Sequence, residues 1–170
     1  MAQILKNRIL KGVVTRHIDL KLSSQIELSG SELKLLIQKK FGRSLNIRQV
    51  DTGSCGACQS EIVAANSPIY DLQRFGVNFV ASPRHADALL VTGALSKNMV
   101  VAVQKTFAAM PEPKFVITLG DCAFDGGVFK KSYYIDSPIK DAFPVVLHIS
   151  GCPPAPGTII SSLLKLMRQL

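Results

Sequence analysis

Two short runs, Lys114–Leu119 (KFVITL) and Pro144–Ile149 (PVVLHI), limit the fold more tightly than any other feature of the sequence. Both are largely apolar and show no in–out alternation. A strand with one wet face alternates, whereas a strand covered on both faces does not. The arrangement that covers both faces is a parallel sheet with helices on each side. Other segments fit the same plan. Ile47–Asp51, Val77–Ala81 and Ala88–Thr92 read as strands, and Cys58–Ala65 and Asn98–Met110 read as helices. A terminal helix, Gly157–Leu170, carries Ile159, Ile160, Leu163, Leu164 and Met167 at helical spacing. From about residue 46 onward, strands and helices take turns, which defines an α/β domain over 46–170 built on a doubly wound parallel sheet.

Composition narrows the class. The chain has 170 residues, 47% of them hydrophobic and 19% charged. That is too apolar for a disordered chain and long enough to bury one core. No run approaches the ~18 continuous apolar residues of a membrane span. Tryptophan is absent and aromatics are 6%, which disfavours a base-stacking platform for single-stranded nucleic acid, and no nucleic-acid partner is expected. The net charge of +8 is unevenly spread. Residues 1–45 hold nine basic and three acidic side chains, and the remainder eleven and nine. A basic leading zone suits acidic lipid headgroups, an acidic partner subunit, nucleic acid or plain solvation.

That zone, 1–45, reads as a basic N-terminal extension. It lacks the uninterrupted apolar core of a secretory signal. Its acid-free run up to Asp19 is compatible with a transit peptide, although its apolar positions form no clean helical face. Ile18, Leu20 and Leu22 alternate with polar residues, which predicts a short strand. Ser29 and Glu32 have capping-box spacing, with Leu33, Ile37 and Phe41 following on one stripe. Gly42 is placed to end that helix.

The chemistry sits in four cysteines: Cys55, Cys58, Cys122 and Cys152. In a parallel sheet, sites form in loops at the carboxyl ends of the strands. Four such exits are Asp51–Cys58, Ala81–Asp87, Gly120–Phe129 and Gly151–Gly157, and three of them hold every cysteine. Each cysteine has glycine or proline nearby, which lets backbone approach a bulky group and lets amides face anionic sulfur. Nothing indicates secretion, so disulfides are disfavoured. Structural zinc usually draws on paired short spacings, whereas here one pair is followed by single cysteines 64 and 30 residues on. A thioredoxin-like pair suits Cys55-Gly-Ala-Cys58 between a strand and a helix, but leaves Cys122 and Cys152 idle. A [4Fe–4S] cluster uses all four. A flavin-binding alternative lacks a phosphate loop after the first strand. Cluster, zinc and dithiol readings stay open on the residues alone.

Four separated segments then carry a resemblance: DTGSCGACQSEI, SPRHADALLVTGAL, TLGDCAFDGGVF and SGCPPAPGTIISSLLKL, in that order over about 46–170. Together they resemble the small, electron-transfer subunits of energy-converting membrane-bound [NiFe] hydrogenases of the formate hydrogenlyase type. That family is related to the iron–sulfur subunit of respiratory complex I beside the quinone site. Complex I subunits typically carry adjacent cysteines at the first position, so the Cys55-x-x-Cys58 spacing leans to hydrogenase.

The resemblance implies a flavodoxin-like fold with Cys55, Cys58, Cys122 and Cys152 ligating one proximal [4Fe–4S] cluster. It implies an oxidoreductase subunit that is not catalytic alone, with any nickel–iron site on a large partner subunit. A ferredoxin-like iron–sulfur subunit and membrane subunits are the other implied partners, and the implied location is a peripheral arm on the cytoplasmic side of a membrane. The alternative is a complex I-like NADH:quinone oxidoreductase subunit passing electrons to quinone. Glu61, one turn after Cys58, becomes a candidate for proton transfer, or else simply complements its helix dipole. Arg84 and His85 become candidate cations for tuning the cluster, or ordinary loop residues. Asp51 reads as a turn residue. Asp121 and Asp125 flank Cys122, Tyr133 and Tyr134 read as half-buried, and Met99 and Met110 read as core.

Overall fold

The computed structural model describes Lys6 and residues 20–170, except for the side chains of 20–23. Helix α1 (Leu20–Phe41) leads into strand β1 (Leu45–Asp51) and helix α2 (Ala57–Ala65). Strands β2 (Val77–Phe79) and β3 (Ala88–Thr92) follow, then α3 (Val100–Ala108) and β4 (Phe115–Leu119). Two short helices, α4 (Asp121–Asp125) and α5 (Ile139–Ala142), precede β5 (Val145–Ile149) and the terminal α6 (Pro156–Gln169).

The five strands form one parallel sheet in the order β2-β1-β3-β4-β5, the flavodoxin-like doubly wound order. Both faces are covered. Leu90, Ile117, Leu119 and Ile149 meet Leu33 and Ile37 of α1, Ile62 of α2, and Ile160, Leu163 and Met167 of α6. Leu89, Val91 and Val116 meet Val103 of α3 and Ile139 of α5 on the other side. Neighbours along β3 therefore serve opposite cores, and all five of its residues are buried. This is why β3 and β4 show no alternation, whereas β5, at the edge of the sheet, departs from the expectation and is only partly covered, with Val146 48% exposed.

The leading zone differs from its sequence reading. Leu20 and Leu22 lie in α1 rather than in a strand, and Ile18 lies outside the described residues. The helix begins nine residues before Ser29, so Ser29 does not cap it. Glu32 reaches instead across to α6, where both carboxylate oxygens bond Arg168 at 2.8 and 2.7 Å. Gly30 marks close packing rather than a start, because a β-carbon there would overlap the ring of Phe75. Leu33 and Ile37 do form the expected buried stripe, with Phe41 half-buried beside them. The helix ends at Gly42 as expected, with its N–H bonding Gln38 O at 3.0 Å.

The carboxyl ends of the central strands finish level. Asp51 aligns with Thr92, Thr92 with Leu119, and Leu119 with Ile149. The loops leaving β1, β4 and β5 thus start from one rim.

Candidate functional site

Cys55 is exposed in the β1–α2 loop, and Cys58 is half-buried in the first turn of α2. Cys122 is half-buried in α4, and Cys152 is exposed just after β5. All four are free thiols, and all four line one cavity with Ser54, Gly93, Asp121 and Gly151. Among the described residues, no three His, Cys, Asp or Glu side chains are grouped so as to hold a single metal ion.

Strand order poses a problem that the loops solve. β3 lies between β1 and β4, so the β1 loop has to cross the end of β3 to reach the other cysteines. Thr52, fully buried, anchors the crossing. Its hydroxyl donates to Thr92 O at 3.0 Å and Gly93 O at 2.8 Å, and its N–H also bonds Thr92 O. The loop then lies so close to Gly93 (φ +79°) that a β-carbon would stand 2.5 Å from the Ser54 nitrogen. Gly120 (φ +86°) has the same role under the thiols, since a β-carbon there would stand 2.6 Å from Cys58 Sγ.

Asp51 shapes the Cys55 loop. Its carboxylate accepts from the amides of Gly53 and Ser54, both at 2.9 Å, from the Ser54 hydroxyl at 3.2 Å, and from the Gln59 side chain. Burial alone would raise its pKa, but these donors outweigh burial and hold it below the ordinary carboxylate value. Asp121 does related work between the other two loops. Its N–H bonds Gly151 O at 3.1 Å, and its Oδ1 accepts from Gly151 N at 3.0 Å.

The site disfavours free thiolates. Burial, then the charges of Cys122, Cys55, Cys152 and Asp121, push the Cys58 thiol up to about 11. Burial and neighbouring Cys152 raise Cys122 as well, while the Val128 amide works the other way. Four sulfurs at one cavity repel each other as anions and gain from a cationic centre between them. The donor set therefore fits an iron–sulfur group, and Cys55, Cys58, Cys122 and Cys152 are the residues that would hold it.

The other sequence candidates fall elsewhere. Glu61 is half-buried on α2, one turn past Cys58, and does not line the cavity. Arg84 and His85 are exposed in the 3₁₀ turn Pro83–His85 after β2, and they do not line it either. Asp87 of the same segment is buried and clamps the opposite end of the sheet, bonding Arg43 at 2.9 and 2.6 Å and Asn46 N at 2.9 Å. Tyr133 is 88% exposed and Tyr134 42%, more open than the half-buried reading. Met110 is buried, and Met99 packs against the same core. Asp125, one turn from Cys122, accepts from Gly127 N and pairs with Lys130.

A doubly wound parallel sheet that gathers thiols from three strand exits into one cavity defines an α/β protein with a metal-binding type of thiol site. The comparisons narrow the class further. The chain belongs to the family described as NADH ubiquinone oxidoreductase, 20 Kd subunit, whose pattern matches residues 55–166. A probable membrane-bound hydrogenase subunit mbhJ of Pyrococcus furiosus is 41% identical over 132 residues, which span 78% of this chain and 79% of that protein. Formate hydrogenlyase subunit 7 of Escherichia coli is 38% identical over 135 residues, spanning 79% of this chain and 53% of that one. Among solved structures, a chain of the membrane-bound sulfane sulfur reductase, an archaeal respiratory membrane complex, superposes with a TM-score of 0.67 at 29% identity. That match covers 81% of this chain and 75% of the other. The relatives are subunits of multisubunit, membrane-bound complexes, so partner subunits are implied here too. No helix among the described residues is long and apolar enough to cross a membrane.

Proposed function

We propose that Cys55, Cys58, Cys122 and Cys152 ligate one [4Fe–4S] cluster, and that the chain is the electron relay beside a large catalytic subunit in a membrane-associated [NiFe] hydrogenase. The observation that carries this is the gathering of four free thiols, from three separate strand exits, at one cavity. When bound, such a cluster stores and passes single electrons.

The residues of this chain supply the cage. Asp51 holds the Cys55 loop in shape, Gly93 lets that loop cross β3, and Asp121 ties the Cys122 loop to the Cys152 loop. Glu61 is the candidate for passing protons toward the catalytic partner, because it rides on the same helix as Cys58. Arg84 and His85, exposed in the turn after β2, are the candidate cations for tuning the cluster. The peripheral arm on the cytoplasmic side of the membrane is the location this reading assigns, with a ferredoxin-like subunit and membrane subunits as neighbours.

The second reading, electron delivery to quinone, is favoured by the family's description as a quinone oxidoreductase subunit. The intact complex separates the two. Hydrogen-dependent dye reduction together with co-purifying nickel supports the hydrogenase reading, whereas quinone reduction without either supports the other. Cys152→Ser tests the ligand set. Iron content should fall and the reduced-state EPR signal should change or vanish, and an unchanged signal with full iron would remove Cys152 from the cage.

A further inference from the structure

His148 plays no part in the reading above, yet it sits under the cage. It is on β5, four residues before Cys152, and aligns with Thr118 of β4, four residues before Cys122. The Thr118 hydroxyl, fully buried, lies 3.1 Å from His148 Nδ1. Phe124 of α4 stacks on the imidazole with centroids 4.2 Å apart and planes within 18°. Lys140 of α5 lies over the Phe124 ring, 5.4 Å from its centroid. These contacts fix the plane and rotation of the ring. The other nitrogen, Nε2, then faces Asp121 Oδ1 at 3.6 Å. That same oxygen receives the Gly151 amide, which belongs to the residue before Cys152.

The four groups form a chain from the core to the cage. In the tautomer that carries its proton on Nε2, the ring accepts from the Thr118 hydroxyl at Nδ1 and turns its N–H toward Asp121. Asp121 is thereby held where it ties its own loop, and so Cys122, to the loop of Cys152. A buried hydroxyl, a stacked ring and a carboxylate shared between two ligand loops form an arrangement that restricts how two sulfurs are aimed.

We propose that His148 is a positioning residue for the cluster cage, acting through Asp121 to hold the Cys122 and Cys152 loops in register. The proposal rests on the cluster reading above. Phenylalanine at 148 would keep the stacking on Phe124 and remove both nitrogens. Glutamine would place an amide N–H near the position of Nε2.

The test uses the intact complex purified without oxygen. Iron and sulfide content, the EPR g-values of the reduced state, and the rate of iron loss to a chelator are measured for wild type, His148→Phe, His148→Gln and Thr118→Val. The proposal expects His148→Phe to lose iron about 10-fold faster or more, with shifted g-values, and His148→Gln to recover most of the difference. Thr118→Val should move in the same direction as His148→Phe, and it stands in if that variant does not fold. Wild-type iron loss and g-values in both His148→Phe and Thr118→Val would overturn the proposal. Equal damage in His148→Phe and His148→Gln would also overturn it, because that is the mark of packing alone. Wild type without iron and sulfide would overturn the cluster reading itself, and this proposal with it.

Discussion

Asp51 shows how one carboxylate organises a ligand loop. It satisfies two backbone amides, one hydroxyl and one side-chain amide, and those donors keep it ionised below the ordinary carboxylate range. A carboxylate with a lowered folded pKa contributes stability above its unfolded value, and that contribution fades as pH falls through the folded value. Asp51→Asn should therefore lower the stability of the metal-free protein near neutrality, and the gap to wild type should close below about pH 4. Denaturant unfolding at several pH values measures this, and a gap independent of pH would mean that the charge of Asp51 contributes nothing. The cysteines were legible in the sequence because each falls at a predicted strand exit beside glycine or proline. Asp51 was legible only as a turn residue, although Asp-Thr-Gly-Ser is a sequence that bends on its own aspartate. His148 was invisible, because its partners Thr118, Asp121 and Phe124 meet it only once β4 and β5 are paired.

The crossing of the β1 loop over β3 is the element on which the site depends. Gly93→Ala would force a β-carbon against the Ser54 backbone at a positive φ. The expected cost is about 1–3 kcal/mol of stability, with lower iron content, because the loop that carries Cys55 has to lift. Normal iron content and stability in that variant would show that the loop has room to move. Helix α1 belongs to the core at this same scale. Leu33 is fully buried in the core that α1 shares with α6, so Leu33→Ala should cost about 2–5 kcal/mol by denaturant unfolding. A cost under about 1 kcal/mol, typical of a surface position, would mean that α1 is dispensable. The central strands of 46–170 were legible because burial on both faces leaves unbroken apolar runs, and the terminal helix because its single buried face leaves a helical spacing. The start of α1 departs from its capping-box signal because Glu32 is spent on Arg168 and Gly30 on Phe75, and both partners are distant in sequence. The helices α4 and α5, five and four residues long, are too short for any period to show.

The molecule as a whole is a parallel sheet that presents thiols at one rim, and the proposed function leaves the catalytic chemistry to a partner. That division of labour predicts a separable phenotype at Glu61. Glu61→Gln in the intact complex should slow turnover while leaving iron content and the EPR signal unchanged, and full turnover would reduce Glu61 to a helix-surface carboxylate. The family and the electron-transfer class were legible from four short segments in order. The partner chemistry was not, because the proposed function places hydrogen or quinone on another subunit. The central claim is the four-thiol cage. Its most direct test is iron, acid-labile sulfide and zinc per chain on protein purified without oxygen, with EPR after dithionite reduction. The account predicts about four irons and four sulfides and a reduced-cluster signal. One zinc with no sulfide would contradict it and leave a structural thiol site instead of a relay.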